Sequence, residues 1–258
     1  MARLNPPITD WQGKRVWLIG ASSGIGAALA SQLLARGARV VLSARDGDRL
    51  ATVAAGLPHA HCLAFDAAQA SAWPAAATAA HTTLGGLDLV VFLAARYDPC
   101  RAWEADPAVA DQAFQTNVLS IYRGVAEILP GMLQSGQGGI ALVASVSGYT
   151  GLPQATIYGA TKAALINLAE SLYFDLAPKG VSVYLVNPGF VATPMTAGNP
   201  FTMPELITPE QAATAMLAGF ARGEFEIRFP RRFTRGLRWL SRLPYRWRFP
   251  LLHKVTGL

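Results

Sequence analysis

Short apolar runs recur along the chain, and each one is followed by a turn or by a longer segment of helical character. A run of this length bounded by turn residues is typical of a strand that is buried on both faces. Strands are predicted at residues 15–20, 38–44, 61–65, 87–94, 140–145, 181–186 and 225–229. Helices are predicted between them at residues 27–36, 71–83, 107–115 and 117–134, with a further helix after the fifth strand.

This alternation predicts an α/β fold in which helices cover both faces of a doubly wound parallel sheet. A chain of 258 residues that is 52% hydrophobic has enough apolar material for a single core. We divide it into an N-terminal tail at 1–13, one domain at 14–229 and a C-terminal extension at 230–258.

The first predicted strand ends in a glycine-rich turn, Gly20-Ala-Ser-Ser-Gly24-Ile-Gly26, directly before a helix. Glycines in such a turn let the backbone approach a pyrophosphate, and the helix N-terminus supplies unpaired amides. This placement predicts a dinucleotide site, with an ordinary turn as the alternative. After the second strand, Arg45 stands where an NAD site has a ribose-binding acid, which favours NADP over NAD. A solvated charge at a helix start is the other interpretation of Arg45.

A second group of polar residues follows the fifth predicted strand. Ser145 ends that strand, and Tyr158 and Lys162 lie four residues apart, on one face of the next helix. An ammonium group near a phenol favours the phenolate, so we expect the pKa of Tyr158 to fall toward the range of an acid/base catalyst. Such a phenol is a proton donor for a carbonyl oxygen, and we expect Ser145 to bind the same oxygen if the loop between it and Tyr158 folds back. Taken alone, the Tyr158 and Lys162 pair is also compatible with an ordinary helix surface.

Composition narrows the class of protein. Cys62 and Cys100 follow no metal-ligand spacing and are too few for a disulfide framework, so no metal is expected. The first residues lack the apolar core of a signal peptide, and no stretch is apolar enough to span a membrane, which predicts a cytoplasmic protein. The net charge of +6 is concentrated at the end, where residues 222–258 hold ten Lys and Arg and two acids. Nucleic-acid binding is not expected, because no recognition fold accompanies this charge.

Taken together, these motifs resemble the short-chain dehydrogenase/reductase family over residues 14–229. The family's order is present as Gly20-x-x-x-Gly24-x-Gly26, Asn117, Ser145, Tyr158-x-x-x-Lys162, and Pro188-Gly189 with Thr193. The resemblance implies a Rossmann fold and an NAD(P)(H)-dependent oxidoreductase. It implies a catalytic set of Asn117, Ser145, Tyr158 and Lys162, and cofactor contacts from Gly20, Ser22, Ser23, Gly24, Ile25, Gly26, Arg45, Asp66, Ala94, Asn117, Tyr158, Lys162, Pro188, Gly189, Val191 and Thr193.

The resemblance also implies a role for each side chain. Tyr158 would be the general acid in reduction, and Lys162 would lower its pKa and hold the nicotinamide ribose. Asn117 would kink its helix and hold a proton-relaying water, Asp66 would accept a hydrogen bond from the adenine amine, and Thr193 would touch the carboxamide. Read without the family, Asn117 is equally a helix cap and Asp66 a turn former.

One segment departs from the family pattern. Where relatives usually show Asn-Asn-Ala-Gly after the fourth strand, this chain has Phe92, Leu93, Ala94 and Ala95. The change removes side-chain hydrogen bonds that usually brace the sheet, and it adds a methyl group close to the cofactor. We expect the variant to be tolerated, because alanine is the smallest replacement for glycine.

The expected reaction is hydride transfer between nicotinamide and a carbonyl or secondary alcohol. A loop at residues 194–208 contains Met195, Phe201 and Met203 and has no Lys or Arg, so we expect an apolar ketone or aldehyde and NADPH-linked reduction. Substrate choice is expected to depend on the approach of this loop to Trp103 and Tyr149. The resemblance further suggests a homodimer or homotetramer.

The C-terminal extension has an amphipathic pattern. Four apolar residues share one helical stripe, and basic residues lie largely on another face: Phe233, Leu237, Leu240 and Leu243 against Arg231, Arg235, Arg238 and Arg242. Such a pattern is typical of a helix that binds an anionic membrane surface. Alternatively, its apolar stripe packs beside the substrate cleft or against another subunit. Two alternative functions stay open, a membrane-docked cofactor-binding protein without turnover, and an epimerase or dehydratase on the same fold.

Overall fold

The structure, a computed structural model, describes residues 3–199 and 202–256. In this part of the chain seven strands form one sheet in the order β3-β2-β1-β4-β5-β6-β7, and all neighbours are parallel. The strands are β1 (Arg15–Ile19), β2 (Arg39–Ala44), β3 (Ala60–Ala64), β4 (Leu89–Phe92), β5 (Gly139–Val143), β6 (Ser182–Pro188) and β7 (Glu226–Phe229). The prediction of a doubly wound parallel sheet is confirmed.

Helices cover both faces of the sheet. They are α1 (Gly24–Leu34), α2 (Gly47–Ala54), α3 (Trp73–Leu84), α4 (Pro107–Phe114), α5 (Ser120–Ser135), α6 (Thr156–Leu176), α7 (Pro209–Arg222), α8 (Arg231–Ser241) and α9 (Tyr245–Thr256). α1, α2 and α7 pack on one face, and α3, α5 and α6 pack on the other. The hydrophobic pattern predicts neither α7 nor α9.

Successive residues of β1 supply the two halves of the core. Val16 and Leu18 point toward α1 and α7, whereas Trp17 and Ile19 point toward α3 and α5. This is the period of two that a strand imposes, and both sets are apolar because both faces are covered. The Trp17 ring packs at 5.9 Å from that of Trp73, and its indole Nε1 donates to Ser43 Oγ at 2.9 Å, so its polar atom is satisfied inside the core.

The sheet changes winding direction between β1 and β4. β2 and β3 lie on one side of β1, and β4 to β7 lie on the other. In an open parallel sheet the carboxyl ends of the strands form a crevice at this position, and ligands bind there. The glycine turn leaves β1 and the Ala94-Ala95 segment leaves β4 at this edge, so the fold brings together the motifs that the sequence separates.

The segment predicted to be an N-terminal tail is packed against the domain over its described residues. Asn5 and Trp11 are buried. The Asn5 side chain donates to Val183 O at 2.8 Å and accepts from Val183 N at 3.2 Å, so it binds the backbone of β6. A buried amide that pairs with both backbone polar groups of one residue explains why this segment is held.

The C-terminal extension also packs on the domain. Leu237 of α8 and Leu252 of α9 form a small buried cluster with Val146, and Phe233 and Leu240 pack against it. The Glu226 carboxylate of β7 pairs with Arg238. The apolar stripe predicted at Phe233, Leu237 and Leu240 therefore packs beside the segment that follows Ser145. No helix in the described part of the chain is both long and apolar enough to cross a membrane.

Candidate active site

The glycine turn is shaped by close backbone contacts. Gly20 has a φ of +100°, and a Cβ at this position would collide with the backbone nitrogen of Ala94. A Cβ on Gly26 would collide with the carbonyl oxygen of Gly20 and lie 2.9 Å from Ala21 Cα. Ser23 precedes α1 in extended conformation, and its side chain does not cap the helix. The first amides of α1 thus lack a side-chain acceptor, as an anion-binding helix start requires.

A cavity of about 940 Å³ runs along the carboxyl edge of the sheet from this turn to α6. Every residue predicted to contact the cofactor lines it, with the exception of Asn117, and Ser145 lines it as well. Thr193 lines it next to the glycine turn, since its methyl group lies 2.9 Å from the position that a Cβ on Gly24 would take. The fold therefore gathers residues from all parts of the domain around one elongated space.

Ser145, Tyr158 and Lys162 meet at one end of this cavity. Lys162 is 2% exposed, its Nζ donates to Val143 O at 2.9 Å, and it lies 5.4 Å from the centroid of the Tyr158 ring. α6 is therefore tied to the end of β5, the strand that leads into Ser145. Burial lowers the pKa of Lys162 from 10.5 to about 7, because a charged ammonium loses its hydration there.

The expectation that Lys162 lowers the pKa of Tyr158 is wrong for the chain without cofactor. Burial raises the pKa of Tyr158 well above 10, the nearby Tyr97 adds to this, and an interaction with Ser145 opposes it only in part. The largest cause is desolvation of the Tyr158 phenolate, and burial also disfavours the ammonium form of Lys162. The phenol is therefore protonated at neutral pH, which is the form that a proton donor needs.

Ser145 is held by a second serine. It caps a short 3-10 turn, and its Oγ accepts from Ser147 N at 3.2 Å and from Ser147 Oγ at 2.9 Å. A hydroxyl that accepts from two donors keeps its own hydrogen for another partner. Ser147 was not singled out from the sequence, and its position two residues after Ser145 in a turn is the signal that could have identified it.

Asn117 lies in a π-helical turn at Gln115–Leu119 between α4 and α5, which agrees with the predicted kink and not with a helix cap. Its buried side chain accepts from Arg96 N at 2.7 Å and donates to Arg96 O at 2.9 Å and Thr161 Oγ1 at 3.0 Å. It thus joins the segment after β4 to α6. A proton-relaying water at Asn117 stays a prediction.

The residues at the other end of the cavity combine structural and binding features. Asp66 Oδ1 accepts from Ala68 N at 3.0 Å, so Asp66 does form a turn, while its side chain still lines the cavity. Arg45 is exposed at the end of β2 and is joined there by Arg49 of α2. Arg49 was not predicted, although its spacing of four from Arg45, at a helix start, would have indicated it.

The expected contacts of the substrate loop need correction. Among the described residues, Trp103 is 80% exposed and neither it nor Tyr149 lines the cavity. Tyr149 instead donates to Glu226 Oε1 at 2.6 Å, beneath α8. Met195 lies at the cavity mouth, Met203 accepts a hydrogen bond from Asn199, and Pro200 and Phe201 lie outside the described residues.

Tyr97 connects the loop to the catalytic group. Its hydroxyl donates to Asn199 Oδ1 at 2.9 Å, and its ring stands edge-on to that of Tyr158 at 4.9 Å. No motif in the sequence marks Tyr97, because it lies in an irregular segment after β4. The 192–206 segment is also fixed at its base, where Ala192 N donates to Ile207 O at 2.9 Å and Ile207 N donates to Phe190 O at 3.2 Å.

Comparison with known proteins identifies this arrangement. The short chain dehydrogenase family model matches residues 14–202. An uncharacterized oxidoreductase of Myxococcus xanthus is 36% identical over 220 residues, which cover 82% of this chain and 85% of the relative. One from Staphylococcus aureus (strain MRSA252) is 32% identical over 200 residues, covering 77% of this chain and 87% of the relative.

Solved structures agree with this result. A short-chain dehydrogenase/reductase from Burkholderia phymatum, solved in complex with NAD, has a TM-score of 0.81 and 26% identity, over 90% of this chain and 94% of the other. A short-chain dehydrogenase from Streptomyces avermitilis has a TM-score of 0.80 over 95% of this chain and 98% of the other; at 23% identity it supports the fold alone. The chain belongs to the short-chain dehydrogenase/reductase family of oxidoreductases, which use a nicotinamide cofactor.

Proposed function

We propose that this protein is an NADPH-linked reductase that converts an apolar ketone or aldehyde to the alcohol. The observation that carries the proposal is the convergence of Ser145, Tyr158 and the buried Lys162 at one end of a dinucleotide-sized cavity. The catalytic and cofactor-binding roles of these residues are part of this proposal.

The cavity fits a dinucleotide on its own geometry. Side chains at Gly20 and Gly26 would fill the space where the backbone passes closest. The start of α1 offers its first amides to a pyrophosphate, and Asp66 lines the cavity where the adenine would lie. When bound, the nicotinamide supplies the hydride, and the protein supplies position and electrostatics.

Arg45 and Arg49 support NADPH over NADH. Both line the cavity at the end of β2, the position where a 2′-phosphate would lie, and no acid occupies the ribose position. Guanidinium groups bind phosphate oxygens through paired hydrogen bonds, whereas an NAD site uses a carboxylate to bind the ribose hydroxyls.

The chain's own groups are suited to protonate a carbonyl oxygen. Tyr158 is protonated at neutral pH, since the ordinary pKa of a phenol is near 10 and burial raises it, so the hydroxyl has a proton to donate in the direction of reduction. Ser145 accepts from Ser147 and keeps its own hydrogen for the same oxygen. Lys162 stands behind the Tyr158 ring, and its pKa of about 7 lets it take up or release a proton at the working pH.

Several features support an apolar substrate. Residues 194–208 contain no Lys or Arg, so this loop offers no cation for a carboxylate or phosphate. Met195 and Leu206 are exposed on it, and the Tyr97 ring covers Tyr158 from the loop side. Such surroundings favour an alkyl or aryl group beside the carbonyl.

The alternatives are less well supported. A protein without turnover has no need for a buried lysine behind a half-buried tyrosine, since burial of the ammonium reduces stability. Epimerisation or dehydration is disfavoured by the spacing of the glycines. Membrane attachment is compatible with turnover, because the cationic extension lies outside the catalytic cluster. A cytoplasmic location and a homodimer or homotetramer stay predictions.

The test is a titration of the purified protein with NADPH and NADH by nicotinamide fluorescence, followed by turnover with aldehydes and ketones of graded chain length. Tyr158→Phe is expected to lower turnover by about 1000-fold while NADPH binding is kept. Arg45→Ala is expected to weaken NADPH binding about 20-fold and leave NADH binding nearly unchanged, because one charge-assisted hydrogen bond is lost.

Arg36→Ala is the matched control, since Arg36 is exposed at the far end of α1. Full turnover by Tyr158→Phe would refute the catalytic assignment. Equal effects of Arg45→Ala on the two cofactors would refute the NADPH preference.

A further inference from the structure

We propose that the outer surface of the C-terminal extension docks on an anionic lipid bilayer. This surface, which we call the outer aromatic face, is formed by Trp239 at the end of α8 and by Trp247 and Leu251 on one side of α9. Tyr245 and Phe249 are also exposed, but they lie on the side of α9 that carries Leu252. The outer aromatic face differs from the stripe that the sequence suggested, because Phe233, Leu237 and Leu240 are used to pack the extension onto the domain.

The two sides of α9 have different neighbours. Leu252 is buried in the cluster with Val146 and Leu237. Trp247 and Leu251 lie one turn apart on a side of the helix away from Leu252, and they are 54% and 41% exposed. Trp239, close to the turn that joins α8 to α9, is 62% exposed. α9 is therefore already held on the domain by Leu252, and Trp247 and Leu251 face away from that contact.

The charges that the extension itself carries are all of one sign. Residues 230–258 contain eight Arg and Lys and no acid. Two of the cations reach back to the domain, where Arg231 pairs with Glu224 and Arg238 with Glu226. Within the described residues, six others have no carboxylate partner: Arg232, Arg235, Arg242, Arg246, Arg248 and Lys254. This field is complementary to anionic headgroups.

Trp and Tyr side chains with interspersed Arg match the chemistry of a bilayer interface. Their rings enter the boundary between headgroups and acyl chains, while the guanidinium groups stay with the phosphates. The described contacts already have this arrangement, since Arg248 lies 4.3 Å from the Tyr245 ring centroid and Arg246 lies 4.8 Å from that of Trp247.

Other occupants fit less well. A second copy of the chain would bring two cationic faces together without acids between them, which is unfavourable. A nucleic acid would stack its bases on the aromatic rings, but guanidinium groups already cover one face of the Tyr245 and Trp247 rings. Leu251 and Pro250 add aliphatic surface that a bilayer accepts and a phosphate backbone does not.

The experiment is flotation of the full chain with phosphatidylcholine vesicles that contain about 30% phosphatidylglycerol, and with pure phosphatidylcholine vesicles. The wild-type chain is expected to float with the anionic vesicles and to be released at about 0.5 M NaCl, since salt screens the charges. Arg242→Gln with Arg246→Gln is expected to lower partitioning about 25-fold, or about five-fold for each cation. Trp247→Ser with Leu251→Ser is expected to lower it at least about ten-fold.

Two matched controls come from the opposite edge of the sheet. Phe174 is an exposed aromatic residue at the end of α6, and Arg36 is an exposed cation at the end of α1. Phe174→Ser and Arg36→Gln are expected to float like the wild type. Turnover of a water-soluble aldehyde, measured without vesicles, is expected to be equal in all these variants, so a failure of the catalytic proposal can be told apart from a failure of docking.

Three outcomes would overturn the proposal. The first is flotation of the wild type no better with anionic than with neutral vesicles. The second is equal loss of binding in the control variants. The third is a self-association, measured by light scattering, that the double variant Trp247→Ser with Leu251→Ser abolishes without changing flotation. That result would assign the face to a second copy of the chain.

Discussion

Replacing the buried lysine with a residue of similar shape, Lys162→Met, is expected to stabilise the cofactor-free protein at neutral pH. Burial lowers the pKa of Lys162 from 10.5 to about 7 in the folded chain. Between these values the unfolded chain holds a proton that the folded chain has released, so protonation favours unfolding and stability rises with pH. Above pH 10.5 the buried Lys162 costs no stability by this route, and the cost grows as the pH falls toward 7.

The magnitude follows from the size of the pKa difference. One pKa unit corresponds to about 1.4 kcal/mol, so burial of Lys162 costs roughly 4 kcal/mol at pH 7 and about 1 kcal/mol at pH 10. Methionine removes this cost, but it also removes the hydrogen bond from Nζ to Val143 O, which contributes about 1 kcal/mol. The net gain is therefore about 3 kcal/mol at pH 7 and close to zero at pH 10.

Calorimetry of wild type and variant, without cofactor, measures this difference at both pH values. For a chain of this size the gain raises Tm by roughly 6–12 °C at pH 7. Lys179→Met is the matched control, since Lys179 is exposed and its removal should change Tm equally at both pH values. Turnover by Lys162→Met is expected to be lost. A variant that is less stable than the wild type at pH 7, or a difference that does not shrink toward pH 10, would refute the reasoning.

Two further substitutions test contacts around the site. Tyr97→Phe removes only the hydrogen bond to Asn199, worth about 1 kcal/mol, so we expect kcat/KM to fall about five-fold with NADPH affinity unchanged. Tyr122→Phe, on an exposed tyrosine, is the control and should have no effect. Unchanged kinetics of Tyr97→Phe would show that this loop contact does not contribute to turnover. Glu226→Gln leaves half-buried guanidinium groups without a carboxylate and is expected to lower the free energy of unfolding by about 2 kcal/mol in urea denaturation, whereas Glu224→Gln, in an exposed pair, should change it by less than about 1 kcal/mol. Equal effects of the two would contradict this ranking.

Much of the fold could be predicted from the sequence because parallel strands covered on both faces are continuous apolar runs. β1, β2, β5 and β6 fall within a few residues of their predicted positions. α7 was missed since the apolar positions that it buries, such as Ala212 and Ala213, are small and give a weak pattern. α9 was missed because Pro250 lies inside it and suggests a break.

The candidate site likewise contains residues that the sequence identifies and residues that it does not. Residues fixed by local geometry, such as Gly20 and Tyr158 with Lys162, are recognisable because their spacing is set by one turn or one helix. Tyr97 and Glu226 act through partners far away in sequence, at Asn199 and Tyr149, and no local pattern encodes such contacts. The direction of the Tyr158 pKa was wrong for a related reason, since spacing indicates proximity to a cation but not how deeply the cation is buried.

The start of α8 packs against the segment that follows β6 and against the 194–208 loop. Phe233 stacks with Phe190 at 5.6 Å and contacts Gly189, and its backbone nitrogen donates to Glu205 at 3.2 Å. α8, the segment that follows β6 and the 194–208 loop thus contact one another. Exchange of residues 230–258 between relatives is therefore expected to alter the cavity wall at Gly189 while leaving Ser145, Tyr158 and Lys162 in place.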